Sequence, residues 1–181
     1  MTPQEAQRVL DEADLICSAE ESALAVRRVA AEIGQRLGNA NPLVLSVMGG
    51  AVVFTGQLLP QLDFPLDFDY LHVTRYGNVT TGGELEWIVK PRSAVAGRVV
   101  LVVDDILDEG VTMAEILAHL RGQGASEVLC AVFADKDLGR AKPVVADFVG
   151  VRLPNRYVFG YGMDVKGAWR NLPAVYAVKG L

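Results

Sequence analysis

What the chain lacks narrows its possibilities first. Only two cysteines and two histidines occur in 181 residues. Cys17 and Cys130 have neither a metal-ligand nor a redox spacing, so no disulfide framework is expected, and Cys130, inside an apolar run, reads as a buried thiol. No apolar run is long enough to span a bilayer. Met1-Thr2-Pro3-Gln4-Glu5 is polar and lacks a basic region followed by an apolar stretch. The expectation is therefore a chain without a secretory signal or membrane partner, located in the cytoplasm. Positive charge is also short: 17 Lys and Arg stand against 22 Asp and Glu, for a net charge of −5 and a pI of about 5.0. A nucleic-acid partner, which needs a basic face to neutralise phosphates, is not expected. A small phosphorylated ligand is compatible, because a few backbone N–H groups and one or two cations can hold it. Repeats, low-complexity tracts and linkers are missing, so residues 1–181 read as one domain.

What is present is an alternation of helices and buried strands. Ser22–Leu37 reads as an amphipathic helix, with Val26, Val29, Ala30, Ile33 and Leu37 at three- and four-residue steps and Gly38 as its stop. Pro42–Val47 is a short apolar run, followed by Met48-Gly49-Gly50 and an apolar helix over Val52–Leu62. Leu71–Thr74 and Glu84–Val89 suggest a hairpin. Its connection, Gly77–Gly83, is either a lid or simply a loose hairpin tip. Arg98–Val103 and Glu127–Phe133 are aliphatic enough to be strands buried on both faces, and Gly110–Arg121 lies between them as a helix. The pattern predicts an α/β fold with a mostly parallel sheet flanked by helices. The core is expected over about 40–150. A small hood is expected from the N-terminal residues and about 151–181, including the strand-like pieces Phe148–Val151, Tyr157–Gly160 and Ala174–Val178.

In such sheets ligands bind beyond the carboxyl ends of the strands. Three apolar strands here run into unusual groups: Met48-Gly49-Gly50, Asp104-Asp105 and Asp135-Lys136-Asp137. If the strands are parallel neighbours, these groups share one rim. The segment Val102–Met113 carries the most information. It is a strand, two carboxylates, a turn with Gly110, a hydroxyl at Thr112, then a helix whose free N–H groups suit a phosphate. Asp104 and Asp105 can accept hydrogen bonds from two vicinal ribose hydroxyls. Read alone, the segment also fits a helix capped by Asp108 or Thr112, and paired acids also occur in receiver domains and metal-dependent phosphatases.

This segment closely resembles the phosphoribosyl-diphosphate-binding motif of type I phosphoribosyltransferases: an aliphatic strand, two acids, two apolar residues, Asp, one more residue, Gly, any residue, Thr. From Asn41 to Val178 the chain is similar to the hypoxanthine-guanine branch. Leu45–Gly50 resembles its diphosphate loop. Arg75-Tyr76, with Thr80-Thr81-Gly82, resembles its lid, and Tyr157–Asp164 with Trp169–Leu172 resembles its tail. The resemblance implies transfer of a 5-phosphoribosyl group from phosphoribosyl diphosphate to hypoxanthine or guanine, with Mg²⁺ as cofactor and a homodimer or homotetramer as the assembly. Implied roles follow. Asp108 is the proton acceptor. Asp104 and Asp105 hold the ribose hydroxyls, directly or through metal. Glu109, Gly110, Val111 and Thr112 wrap the 5′-phosphate. Met48 and Gly49 bind diphosphate. Lys136 donates to the purine O6, Tyr157 stacks on the ring and Val158 reads its edge. Asp164 binds the metal and Arg170 the diphosphate.

Three positions depart from the branch's pattern. Glu109 replaces a small hydroxyl residue beside the expected phosphate, so its side chain is expected to point outward and only its N–H to serve the ligand. Val111 and Met48 each replace a frequent lysine. Outside the motif, His72 and His119 read as structural or surface residues, with His119 facing solvent, and Trp87 and Trp169 as packing residues. Two other functions are weighed: a regulatory RNA-binding relative of the same fold, which would need a basic surface, and a phospho-acceptor signalling domain, which would leave Lys136, Tyr157–Asp164 and Arg170 unexplained.

Overall fold

The structure, a computed structural model, describes residues 1–75 and 85–181. The chain opens with α1 (Pro3–Glu12) and β1 (Asp14–Cys17), both too short and polar to show in the hydrophobic pattern. Thr2 starts α1 with a capping box: the Glu5 N–H donates to Thr2 Oγ1 at 3.2 Å and the Thr2 N–H to Glu5 Oε2 at 2.7 Å. A second capping box, Ser18 with Glu21, starts α2 (Ala19–Leu37) earlier than its apolar stripe alone suggests. Val26, Val29, Ala30, Ile33 and Leu37 are all buried. Covering each of the larger ones contributes about 1.5–3 kcal/mol.

β2 (Leu43–Met48) leads into α3 (Val52–Leu58). The helix expected through Leu62 tightens into a 3-10 turn at Leu59–Gln61, where Pro60 has no N–H to continue the ladder. β3 (Asp67–Arg75) and β4 (Leu85–Val89) pair as an antiparallel hairpin. Then follow β5 (Val99–Leu107), α4 (Val111–Gly122), β6 (Glu127–Lys136), β7 (Phe148–Leu153), β8 (Val158–Phe159) and β9 (Val175–Ala177). The main sheet has the order β4-β3-β2-β5-β6-β7, and every neighbouring pair except β3–β4 is parallel.

Alternation along the central strands builds two cores. Leu101 and Val103 face α2 and α3 beside Phe54, Leu58 and Phe133. Val100 and Val102 face α4 beside Met113, Ile116, Leu117 and Leu120. The strands expected to end at Val103 and Phe133 run further. Asp104 still pairs with Val132 and Leu107 with Asp135, so the acid pair lies within a strand rather than beyond it.

β7 departs from the expected organisation, because it closes the main sheet instead of joining the terminal residues. Gly150 allows this, since a Cβ there would clash with the Phe133 carbonyl. The two ends of the chain meet elsewhere, in a three-stranded antiparallel sheet of order β1-β9-β8. Trp169 Nε1 donates to the Ala6 carbonyl at 2.7 Å, fastening α1 to the tail. Tyr161 stacks on Phe133 with ring centroids 3.9 Å apart, fastening the tail to the sheet. His119 does not face solvent as expected. Its position on α4 turns it towards the hairpin, where its ring packs on Trp87 at 4.5 Å. Among the described residues no helix is long and apolar enough to cross a membrane.

Candidate active site

Because β2, β5 and β6 are adjacent and parallel, their carboxyl ends form one rim. A cavity of about 250 Å³ opens there, and Asp105, Asp108, Lys136, Tyr157, Val158, Asp164 and Arg170 line it together with Ile106 and Met163. Seven of the residues singled out in the sequence thus share one hollow. Tyr157 is 44% exposed at its edge, Val158 is buried, and Lys136 is 8% exposed.

Asp108 and Lys136 meet across the ends of β5 and β6. Lys136 Nζ donates to Asp108 Oδ2 at 2.6 Å. Burying an ammonium without such a partner would be costly. The Asp108 carboxylate is therefore committed to Lys136 and does not serve as the cap of α4. That place is taken by Gly110, with φ +79°, which brings no side-chain cap to the first turn. Gly110 is also a packing requirement. A Cβ there would sit 3.3–3.4 Å from Lys142, Pro143 and Val144.

Glu109, Gly110, Val111 and Thr112 form the turn into α4 and do not line the cavity itself. The Glu109 carboxylate is exposed and pairs with Arg140. Arg140 is a partner the sequence did not single out, and its charge offsets that of Glu109. Val111, 40% exposed, presents no charge.

Asp104 and Asp105 are held by backbone. The Asp105 N–H donates to Asp104 Oδ1 at 2.9 Å, and the Ile106 N–H to Asp105 Oδ1 at 2.8 Å. Burial, reinforced by the neighbouring charge of Asp105, raises the Asp104 carboxyl well above its ordinary range. Burial also raises Asp105, against the lowering effect of Asp104, the Ile106 N–H and Arg170. Raised carboxyl values mean that the fold favours the protonated forms. This contribution to stability is complete below the ordinary value near 3.8 and is lost as pH rises through the raised values. In chelator-containing buffer, the Asp104→Asn/Asp105→Asn double variant should melt above the parent at about pH 8, and the gap should close towards about pH 4. A gap independent of pH by thermal denaturation would contradict this.

Two glycines missed as site residues make room for the acid pair. A Cβ on Gly50 would fall well inside contact distance of the Asp105 carboxylate, and a Cβ on Gly162 would do so with the Gly50 carbonyl. Gly162 has φ +102°. The Gly-Tyr-Gly string at 160–162 is the one signal that could have pointed to it. Next to them, the Met48–Gly49 peptide bond is cis. Ser46 and Thr55, buried and 2.8 Å apart through their hydroxyls, tie the end of β2 to α3. Met48 and Gly49 therefore lie at the rim, beside the cavity but not in its lining.

Arg170 is oriented by the tail. Nη1 donates to the Gly162 carbonyl at 2.7 Å, and Nη2 pairs with Asp164 Oδ1 at 2.6 Å. Asp164 Oδ2 also accepts from the Gly167 N–H at 2.6 Å. Among the described residues, no three carboxylate, histidine or cysteine side chains converge as one metal cluster. Asp164 and Asp105 line the same hollow. The Asp104 and Asp105 carboxylates are nonetheless a hard-oxygen donor set short of positive charge, which fits a divalent cation such as Mg²⁺. Tyr76 and the loop holding Thr80, Thr81 and Gly82 lie outside the described residues, as does the side chain of Arg75.

The chain resembles known proteins over most of its length. Residues 13–166 match the family model described as the phosphoribosyl transferase domain. The chain is 33% identical over 166 residues to a hypoxanthine-guanine phosphoribosyltransferase of Bacillus subtilis, covering 91% of this chain and 92% of that protein. It is 36% identical over 155 residues to a hypoxanthine-guanine-xanthine phosphoribosyltransferase of Tritrichomonas foetus, covering 85% of each. A solved structure of a hypoxanthine-guanine-xanthine phosphoribosyltransferase superposes with a TM-score of 0.85 at 32% identity, over 93% of this chain and 99% of that one.

Proposed function

Because the chain belongs to the phosphoribosyl transferase family, in its hypoxanthine-guanine branch, we propose that it transfers a 5-phosphoribosyl group from phosphoribosyl diphosphate to a 6-oxopurine. The products are a nucleoside monophosphate and diphosphate, and the role is purine salvage. The observation that carries this reading is the 2.6 Å pair of Asp108 and Lys136 in a hollow that also holds Tyr157, Val158 and Arg170.

A purine entering beside Tyr157 presents N7 and O6 together. Lys136 donates to O6, and Asp108 accepts the proton that leaves the base as N9 bonds to C1′ and the C1′–O bond to diphosphate breaks. Val158 offers backbone groups to the other edge. Diphosphate gains negative charge as it leaves, and Arg170, aimed by Asp164 and Gly162, is placed to stabilise it. The first turn of α4 offers N–H groups to the 5′-phosphate, with Glu109 held away by Arg140. Asp104 and Asp105 face the ribose hydroxyls and would hold Mg²⁺, which supplies charge neutralisation for the diphosphate. Met48 and Gly49 border the diphosphate position. Arg75, Tyr76 and the loop after them would cover the site. The small sheet of β1, β9 and β8 acts as the hood, since Val158 comes from it. We place the reaction in the cytoplasm.

The assembly is a homodimer or homotetramer built on the outer face of β3 and β4. Phe68, Tyr70 and Ile88 are 48%, 41% and 54% exposed there, and Val52 on α3 is 47% exposed. Exposed large apolar side chains grouped on one sheet face suit a subunit contact. Neither the acidic surface nor the relatives favours the regulatory RNA-binding alternative.

The test is product analysis with each purine base in turn. Hypoxanthine and guanine should be converted, and adenine disfavoured by about 1–3 kcal/mol, because a 6-amino group gives Lys136 no acceptor. Lys136→Ala should narrow that gap. Equal use of adenine by the parent protein would overturn the reading.

A further inference from the structure

Lys142 is absent from the cavity lining, yet its ammonium touches the backbone or side chain of the residue before each purine-facing group. Nζ donates to the Leu107 carbonyl at 2.5 Å and to Asp135 Oδ1 at 2.6 Å. Leu107 and Asp135 are register partners on β5 and β6. Asp108 follows the first and Lys136 follows the second. The Lys142 side chain is 10% exposed and that of Asp135 21%, so solvent and salt weaken the pair far less than a surface contact. At the end of a strand the last carbonyls run out of ladder partners. Here one charged donor, reaching the Leu107 carbonyl and the Asp135 carboxylate, bridges both strand ends at once. The same residue packs against Gly110 at the turn into α4.

We infer that Lys142 is a positioning residue for purine recognition: it sets the separation and direction of Asp108 and Lys136 without touching the base. The inference rests on the purine reading given above. N7 and O6 of a purine are a fixed distance apart, so the two side chains that read them must be held to a fixed spacing. Asp135, Lys136 and Lys142 also line a second cavity behind the strand ends. Without Lys142, the Leu107 carbonyl and the Asp135 carboxylate would lose their shared charged donor.

The test is steady-state kinetics with hypoxanthine, adenine and phosphoribosyl diphosphate on the parent, Lys142→Met and Lys142→Arg, alongside thermal melting. Lys142→Met should raise the hypoxanthine KM about tenfold, the scale of a sub-ångström misplacement at a reading group. It should also narrow the preference for hypoxanthine over adenine, and leave the phosphoribosyl diphosphate KM unchanged. Lys142→Arg should restore most of the loss. If Lys142→Met melts lower but keeps the parental hypoxanthine KM and base preference, the residue is structural only and the inference fails. If both substrate KM values rise in step, it fails also. Should Lys142→Met not fold, Asp135→Ala removes the same pair and must raise the hypoxanthine KM; an unchanged value overturns the inference. A parent protein that converts no purine would overturn the purine reading as well, whereas an active parent with indifferent variants overturns this inference alone.

Discussion

Asp108→Asn is expected to lower kcat with hypoxanthine by about 10²–10⁴, the range for a positioned proton acceptor, while the phosphoribosyl diphosphate KM stays close to the parental value. Asparagine matches aspartate in size, and its amide oxygen can still accept from Lys136, so the 2.6 Å contact and the fold should both survive. What disappears is the ability to take a proton from the base as the glycosidic bond forms. Single-turnover measurements, which separate chemistry from product release, are the right readout. A loss smaller than tenfold in the chemical step would remove Asp108 from proton transfer and leave it as a partner for Lys136 only.

Gly162→Ala should be the most damaging substitution outside the polar groups. A side chain at φ +102° is strained, and the added carbon would collide with the Gly50 carbonyl and press on Asp105 Cβ at 3.3 Å. Strain and overpacking together predict a stability loss of about 2–5 kcal/mol. They also predict loss of turnover, because relief of the clash moves the Asp105 carboxylate or the diphosphate loop. Gly180→Ala is the control. It too has positive φ, at +78°, but nothing lies within 4 Å of the added carbon. It should show only the cost of strain and keep full activity. Urea denaturation with an unchanged m-value, measured beside kcat/KM, distinguishes the two.

Much of this architecture was readable from residue pattern because the strands that carry the site are buried on both faces. Arg98–Val103 and Glu127–Phe133 needed no tertiary information to be seen as central strands, and their ends pointed to the rim. Where each strand stops was less legible. Asp104 and Asp105 look like loop residues by polarity, yet ladder bonds to β6 keep them in the strand. β7 reads as part of the hood because a six-residue strand looks alike in either setting; Gly150, which lets it approach Phe133, is informative only once the neighbour is known. The ion pairs of Glu109 with Arg140 and of Asp135 with Lys142 were invisible for a related reason. Their partners lie on a segment with no periodicity, brought back by the chain's return into β7. Asp108 and Lys136 were found separately, each from its place at a strand end. That they grip one another followed only from the parallel pairing of β5 and β6.

The pairing of β1 with β9 sets an order on the making of this protein. Asp14 meets Ala177 and Leu15 meets Tyr176, so β1 waits for its partner until β9 has been made. A chain cut short before that point could still assemble its central layers around α2 and α4, but Val158 would lack the neighbour that steadies it. Such a product would be a scaffold without a floor for the base, which ties synthesis through β9 to competence for chemistry.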